Sequence, residues 1–257
     1  MLKVLGFDFE TQGTDHTQTN PTEIGAVLCE VDQGELVDSW KVVKEENHLL
    51  WQPGYPPQSE EIIALTGITD EMLKRDGYAP KAVFLEKIFP LIEQADVLMA
   101  HNKAFDLGVL NATSAREGLT LPVVKRSICT WSEVPYPPKF TCKKLSHLAL
   151  DHGIKMDDRE LHRATSDVRL MFELVSKYRL QTVLDYAAEP NIVVRAVIPA
   201  PWEDKGVGKE QATRLGYSWE SPRNTVGLRF EKCWVKQIKV SQLEIETSKA
   251  PFKVVKL

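Results

Sequence analysis

Near its start the chain runs Val4-Leu5-Gly6-Phe7-Asp8-Phe9-Glu10-Thr11, an apolar stretch of strand-forming residues that ends in two acids. Side chains of a strand alternate between faces, so Asp8 and Glu10 project to the same side. Two carboxylates on one face of a strand that otherwise reads as buried repel each other and lose hydration. A divalent cation relieves both penalties. A solvated strand end also accepts such a pair, and with 36 acidic residues among 257 an Asp-x-Glu spacing arises by chance as well. The choice between these settings falls to the remaining motifs.

The length admits one ordinary domain with a small companion, here expected as residues 1–188 and 189–257. With 43% hydrophobic and 26% charged residues the composition is that of a soluble globular chain, and no apolar run reaches the ~18 residues of a membrane span. The first strand begins almost at once, so no secretory leader is expected. Four cysteines without CxxC spacing read as reduced thiols, and the expected location is cytoplasmic. Cys142, His147 and His152 lie five apart, but no second cluster completes a tetrahedral zinc set. Net charge is −4, unevenly spread: residues 191–257 hold 12 Lys and Arg against 7 Asp and Glu, leaving the rest strongly acidic. An acidic metal site beside a nucleic-acid grip and ordinary variation between domains both account for that.

Following the first strand, Ile24–Val31 and Leu36–Val43 read as strands joined by a short hairpin at Asp32-Gln33-Gly34, with glycine available for a positive φ. An antiparallel meander follows. Residues 51–58, with three prolines, are irregular. Ser59 and Thr69 open short helices, and Pro80–Glu93 is helical, with Pro90 set to disturb it. Asp96–Ala100 reads as a buried strand, and Asn102 as the cap of a helix from Lys103 to Glu117 stopped by Gly118. Val123–Cys129 is expected as a strand, Cys142–Leu150 as a helix, and a charged loop as reaching Glu160. Ala164–Tyr178 reads as a helix with Asp167, Leu170, Met171 and Leu174 along one face. Strands first, then strands alternating with helices, predict an α/β domain with a mixed sheet.

Asp106 and Asp167 each occupy an inward position on an otherwise apolar helical face. With Asp8 and Glu10 they make four acids. Their settings are Phe7-Asp8-Phe9-Glu10-Thr11, Ala100-His101-Asn102-Lys103-Ala104-Phe105-Asp106 and His162-Arg163-Ala164-Thr165-Ser166-Asp167. Taken in order, over residues 3–178, these motifs resemble the DEDDh branch of the 3′→5′ exonuclease superfamily that includes polymerase proofreading exonucleases. Leu65-Thr66-Gly67-Ile68-Thr69-Asp70-Glu71-Met72-Leu73 is also similar to a family segment, although many members carry histidine where this chain has Thr66.

The resemblance implies a ribonuclease H-like mixed sheet flanked by helices. It also implies two divalent cations, Mg²⁺ or Mn²⁺, which suit hard oxygen ligands. By the same resemblance Asp8 bridges both ions, Glu10 and Asp167 hold the ion on the nucleophile's side, and Asp106 acts through a water. His162 takes the proton from the attacking water, and imidazole is suited to proton exchange near neutrality. Phe9, Thr11, Glu61, Thr66, Asn102 and Phe105 are the expected substrate contacts; Phe105 reads equally as core. The implied reaction is hydrolysis of phosphodiester bonds from the 3′ end of DNA to mononucleotides, with single-stranded DNA favoured. An exoribonuclease, or a non-catalytic nucleic-acid-binding protein on the same fold, is the alternative. A polymerase or other replication partner fits the resemblance, and no membrane partner is expected.

Beyond Pro190, Ile192–Ile198 reads as a strand, Lys209–Leu215 as a helix ended by Gly216, and Cys233–Val235 with Val240–Ile245 as strands of a small α+β module. Trp202, Trp219 and Trp234 lie here among lysines and arginines. Stacking on single-stranded nucleic acid and the core of a tiny domain both explain them.

Overall fold

A computed structural model describes residues 1–140, 142–156, 162–203, 207–221 and 231–257. The chain forms two compact units, Met1–Ala187 and Ala188–Leu257. The stretch 157–160 of the expected charged loop lies outside the described residues.

In the first unit β1 (Leu2–Thr11), β2 (Pro21–Asp32) and β3 (Ser39–Leu49) make the antiparallel meander. Two short strands, β4 (Val97–Ala100) and β5 (Ser127–Cys129), add in parallel on the other side of β1, giving the order β3-β2-β1-β4-β5. The helices are α1 (Glu60–Thr66), α2 (Asp70–Asp76), α3 (Pro80–Val83), α4 (Phe89–Gln94), α5 (Lys103–Arg116), α6 (Leu145–Asp151), α7 (Ala164–Val175) and α8 (Leu180–Ala188). Both faces of the sheet are covered, which is why β1 and β2 read as nearly unbroken apolar runs.

Alternation along the strands sorts the core in two. Leu5, Phe7, Phe9, Ile24, Ala26 and Leu28 pack on one side with Phe84, Ile88, Val109 and Leu110. Val4, Val27, Cys29, Val97 and Met99 pack on the other with Val168, Met171 and Phe172 of α7. Asp8 and Glu10 share the parity of Val4, so they belong to the α7 face.

Ser59 and Thr69 cap α1 and α2 as expected, each hydroxyl accepting an N–H three residues on, from Ile62 and Met72. Pro90 has its effect through a π-type turn, Phe84–Ile88, between α3 and α4. The wider turn accommodates a residue that can neither donate nor tolerate the regular carbonyl behind it.

Several boundaries differ from expectation. The β2–β3 connection closes at the Asp32–Ser39 pair, so Leu36 and Val37 are exposed loop residues rather than strand. The start of α8 holds this longer loop: Asp38 accepts the Leu180 N–H, and Arg179 donates to the Gly34 carbonyl. Gly34 serves close approach rather than a positive φ, since a Cβ there would lie 2.4 Å from the Val37 carbonyl oxygen. Val123 is exposed and the strand after it shrinks to Ser127–Cys129, long enough to pair only with the short β4. The helix α6 begins at Leu145 rather than Cys142. Asn102 precedes α5 but its side chain makes no cap; its carbonyl takes the Phe105 and Asp106 N–H groups.

The second unit is a four-stranded antiparallel sheet, β6 (Asn191–Val197), β7 (Ser218–Glu220), β8 (Cys233–Lys239) and β9 (Lys253–Lys256), in the order β7-β8-β6-β9. The helices α9 (Val207–Arg214) and α10 (Leu243–Lys249) belong to it. The strand expected at Val240–Ile245 is instead a 3₁₀ turn, Val240–Gln242, leading into α10. Three apolar residues, at 240, 243 and 245, are too few to separate a strand period from a helical one over so short a span.

Trp234 is buried in the core of this unit with Val194, Ala196, Tyr217 and Ile238, and its indole N–H donates to the Pro199 carbonyl at 3.0 Å. Trp219 packs edge-on against it. Only Trp202, 72% exposed at the end of this aromatic row, presents its ring to solvent.

Candidate active site

The site forms where β1 outruns its neighbour. Pairing with β4 ends at Gly6–Met99, so β1 continues past Gly6 without a partner on that side. The Phe9 N–H is taken up by Asp106 Oδ1 from the first turn of α5, at 3.3 Å, with Asp106 buried. On the opposite face α7 presses onto the sheet through two glycines. A Cβ on Gly25 would lie 2.3 Å from the Thr165 nitrogen, and one on Gly6 would lie 2.7 Å from the Phe172 ring. Gly25 is the cross-strand partner of Asp8, so the first turn of α7 sits directly beside that acid.

One carboxylate oxygen from each of Asp8, Glu10 and Asp167 lies within 4.8 Å of the others. Desolvation is the main force on all of them. Asp8 is held well above the usual carboxylate range by burial, then by the charges of Asp106, Glu10, Asp167 and Glu23. Glu10 is pushed up to about 8 by burial, then by Asp167 and Glu23, with Arg163 opposing. Asp106 rises to about 7 by burial, against the backbone hydrogen bonds it accepts, and Asp167 to about 6 by burial, against His162. Buried carboxylates that crowd one another fit a divalent ion, and an all-oxygen donor set fits a hard one.

His162 stands just ahead of α7 with a left-handed backbone, φ 60°, unusual for a residue with a side chain. It lines a cavity of about 290 Å³ together with Asp8, Asp167, Trp131, Lys144 and Met171. The second motif's His101 lines the same cavity but is fully engaged, Nε2 with the Lys143 carbonyl at 2.8 Å and Nδ1 with the Thr130 hydroxyl at 2.9 Å. A carbonyl can only accept, so Nε2 carries the proton. Burial lowers the imidazole's affinity for a second one.

The expected substrate contacts are more scattered. The Phe9 ring is in the core, edge-on to Phe7 and Phe84, and its N–H is the one Asp106 holds. Thr66 is buried, its hydroxyl donating to the Ile62 carbonyl and accepting the Ile68 N–H. Thr11 donates to the Gly13 carbonyl. Glu61 and Asn102 are exposed, and Phe105 is half-buried with its ring edge-on to His16. His152, one of the three residues at zinc-like spacing, spends both ring nitrogens on the Leu148 carbonyl and the Tyr178 hydroxyl.

Sequence reasoning missed a fifth carboxylate beside the site, the buried Glu23 of β2, which faces Glu10 across the strands. Its only signal is an acid inside an otherwise apolar strand, since its ion-pair partner, Arg163, lies 140 residues away.

The family model described as an exonuclease matches residues 5–175, and the chain belongs to that family, the RNase T group of DEDDh-type 3′→5′ exonucleases. Among curated proteins, the PolC-type DNA polymerase III of Bacillus subtilis is 30% identical over 188 residues, 72% of this chain and 12% of that protein. The corresponding protein of Pediococcus pentosaceus is 32% identical over 170 residues, 64% of this chain and 10% of that protein. The chain thus spans about an eighth or less of the length of these relatives. Among solved structures, Escherichia coli exonuclease I in complex with a dA16 oligonucleotide aligns with TM-score 0.62 at 14% identity, covering 98% of this chain and 68% of that one. The nuclease domain of 3′hExo, a DEDDh family member bound to rAMP, aligns with TM-score 0.53 at 17% identity over 68% of this chain and 90% of that one. Among the described residues no helix is long and apolar enough to cross a membrane.

Proposed function

We propose that the chain removes mononucleotides from the 3′ end of DNA, single strands preferred, using two Mg²⁺ or Mn²⁺ ions. The observation that carries this reading is the convergence of Asp8, Glu10 and Asp167 within 4.8 Å, beside a cavity that His162 lines. Asp8, Glu10 and Asp167 would hold the ions, with Asp106 assisting from the far side of β1. When bound, such ions neutralise charge on the attacking and leaving oxygens of a phosphodiester. His162 takes the proton of the attacking water, and the exposure of its ring lets that proton pass to solvent. Asp106 secures the Phe9 N–H, and so fixes the strand segment between the two β1 acids. Thr11, Glu61, Thr66, Asn102, Phe105 and the Phe9 backbone are proposed to border the terminal nucleotide.

DNA is favoured over RNA because the relatives at 30–32% identity are named as DNA polymerases. Work alongside a polymerase or another replication protein, in the cytoplasm, belongs to the same proposal. Degradation of 5′-labelled single- and double-stranded DNA and RNA, each with Mg²⁺, Mn²⁺ or EDTA, tests it. Metal-dependent shortening of single-stranded DNA from the 3′ end is the expected result. Faster trimming of RNA would replace DNA by RNA as substrate.

A further inference from the structure

We propose that Glu23 and Arg163 form a buried clamp that positions the first turn of α7, and through it Asp167 and His162, for metal uptake. This rests on the metal-dependent reaction proposed above.

Glu23 is fully buried on β2 and pairs in register with Glu10, so two like charges face each other on one side of the sheet. Directly opposed like charges destabilise a strand pair, and a buried carboxylate without partners is costlier still. Glu23 does have partners, and all come from the start of α7. Arg163 grips both oxygens, with Nε at 3.1 and 3.2 Å and one terminal nitrogen at 2.6 Å. The Ala164 N–H donates to Oε2 at 3.0 Å.

The local sequence explains why the helix needs this help. Arg163 occupies the capping position and makes no side-chain cap of its own, so the first-turn N–H groups of α7 lack a local acceptor. Glu23 supplies one from the neighbouring strand, with a negative charge at the positive end of the helix dipole. Gly25, two residues further along β2, lets the Ala164–Thr165 backbone come down onto the sheet. The clamp therefore holds the residue before Asp167's turn on one side and follows directly on His162 on the other. Both Glu23 oxygens are occupied, which separates it from the three acids that converge on one point. Glu23 is thus a positioning residue rather than an additional ligand.

The test uses the full chain and two variants. Arg163→Lys keeps the charge but loses the forked grip, at a side chain already 36% exposed. Glu23→Gln keeps the shape. Mn²⁺ binding is read by calorimetry without nucleic acid, and kcat and KM on 5′-labelled single-stranded DNA. The expected result for both variants is Mn²⁺ affinity weakened about 10–100-fold, kcat lowered at limiting Mn²⁺ and KM for DNA nearly unchanged. Excess Mn²⁺ should recover much of the turnover of Arg163→Lys. Wild-type protein that binds and cleaves while Arg163→Lys matches it on both readouts overturns the clamp alone. A loss of melting temperature in that variant, with no change in metal binding or turnover, overturns the clamp too. Wild-type protein that takes up no Mn²⁺ overturns the reaction reading and the clamp with it.

Discussion

The two units of this chain place their conspicuous residues in opposite ways. In Met1–Ala187 the residues that break the apolar pattern, Asp8, Glu10, Asp106 and Asp167, are pulled inward to one end of the sheet and cost the fold burial and repulsion. In Ala188–Leu257 the tryptophans among lysines satisfy the pattern: Trp234 is core, Trp219 packs on it, and only Trp202 stands free. A misfit between residue and position points to chemistry, whereas a large apolar residue in an apolar position points to packing.

The sharpest break in that comparison comes from Asp8→Ala. It should bring cleavage below detection while the protein remains folded, because it removes a proposed metal ligand and relieves repulsion together. A circular dichroism melt beside a nuclease assay checks both halves. His162→Ala should lower turnover by about 10²–10⁴-fold with little change in nucleic-acid affinity. Unchanged turnover would return His162 to the loop it occupies.

The second unit should respond through stability. Trp234→Ala ought to cost roughly 3–5 kcal/mol of that unit's stability, as for other buried Trp truncations. Chemical denaturation followed by the remaining tryptophans would show it, and the clustered acids of the other unit should still bind metal.

A pH series sharpens the picture of the acids. Glu10 titrates near 8 in the folded chain against an ordinary 4.5, and Asp106 and Asp167 near 7 and 6 against 3.8. Between those values the folded state keeps protons that the unfolded chain releases, so stability falls as pH rises. The contribution is full below about 4 and lost as pH passes through 6 to 8. Melts in EDTA should therefore show a decline across this window, shallower in Glu10→Gln, and Mn²⁺ should restore the loss at pH 8. An equal decline in Glu10→Gln would contradict the assignment. The smallest effect belongs to Trp202→Ala. If its exposed ring stacks on a base, affinity for single-stranded DNA drops by about 1–3 kcal/mol; unchanged affinity leaves the second unit with no aromatic grip.

Much of the first unit is legible in the sequence because its signals are periodic. Period two puts Asp8 and Glu10 on one face, and the helical period turns Asp106 and Asp167 each toward the sheet from its own helix. The succession of strands and helices then implies the mixed sheet. What escapes depends on distant partners. The β2–β3 loop is set by Asp38 taking the Leu180 N–H and the Gly34 carbonyl taking an N–H of Arg179 across the fold, Glu23 by an arginine far along the chain, and the length of β5 by the shortness of β4. In the second unit the turn into α10 reads as strand because three apolar residues among six do not separate the two periods.

The most direct test of the central claim is Mn²⁺ binding, followed by electron paramagnetic resonance at pH 8, in wild type, Asp8→Ala and Trp234→Ala. Two bound ions are expected in the wild type, with that binding lost in Asp8→Ala and retained in Trp234→Ala. Wild-type binding that persists undiminished in Asp8→Ala would contradict the claim.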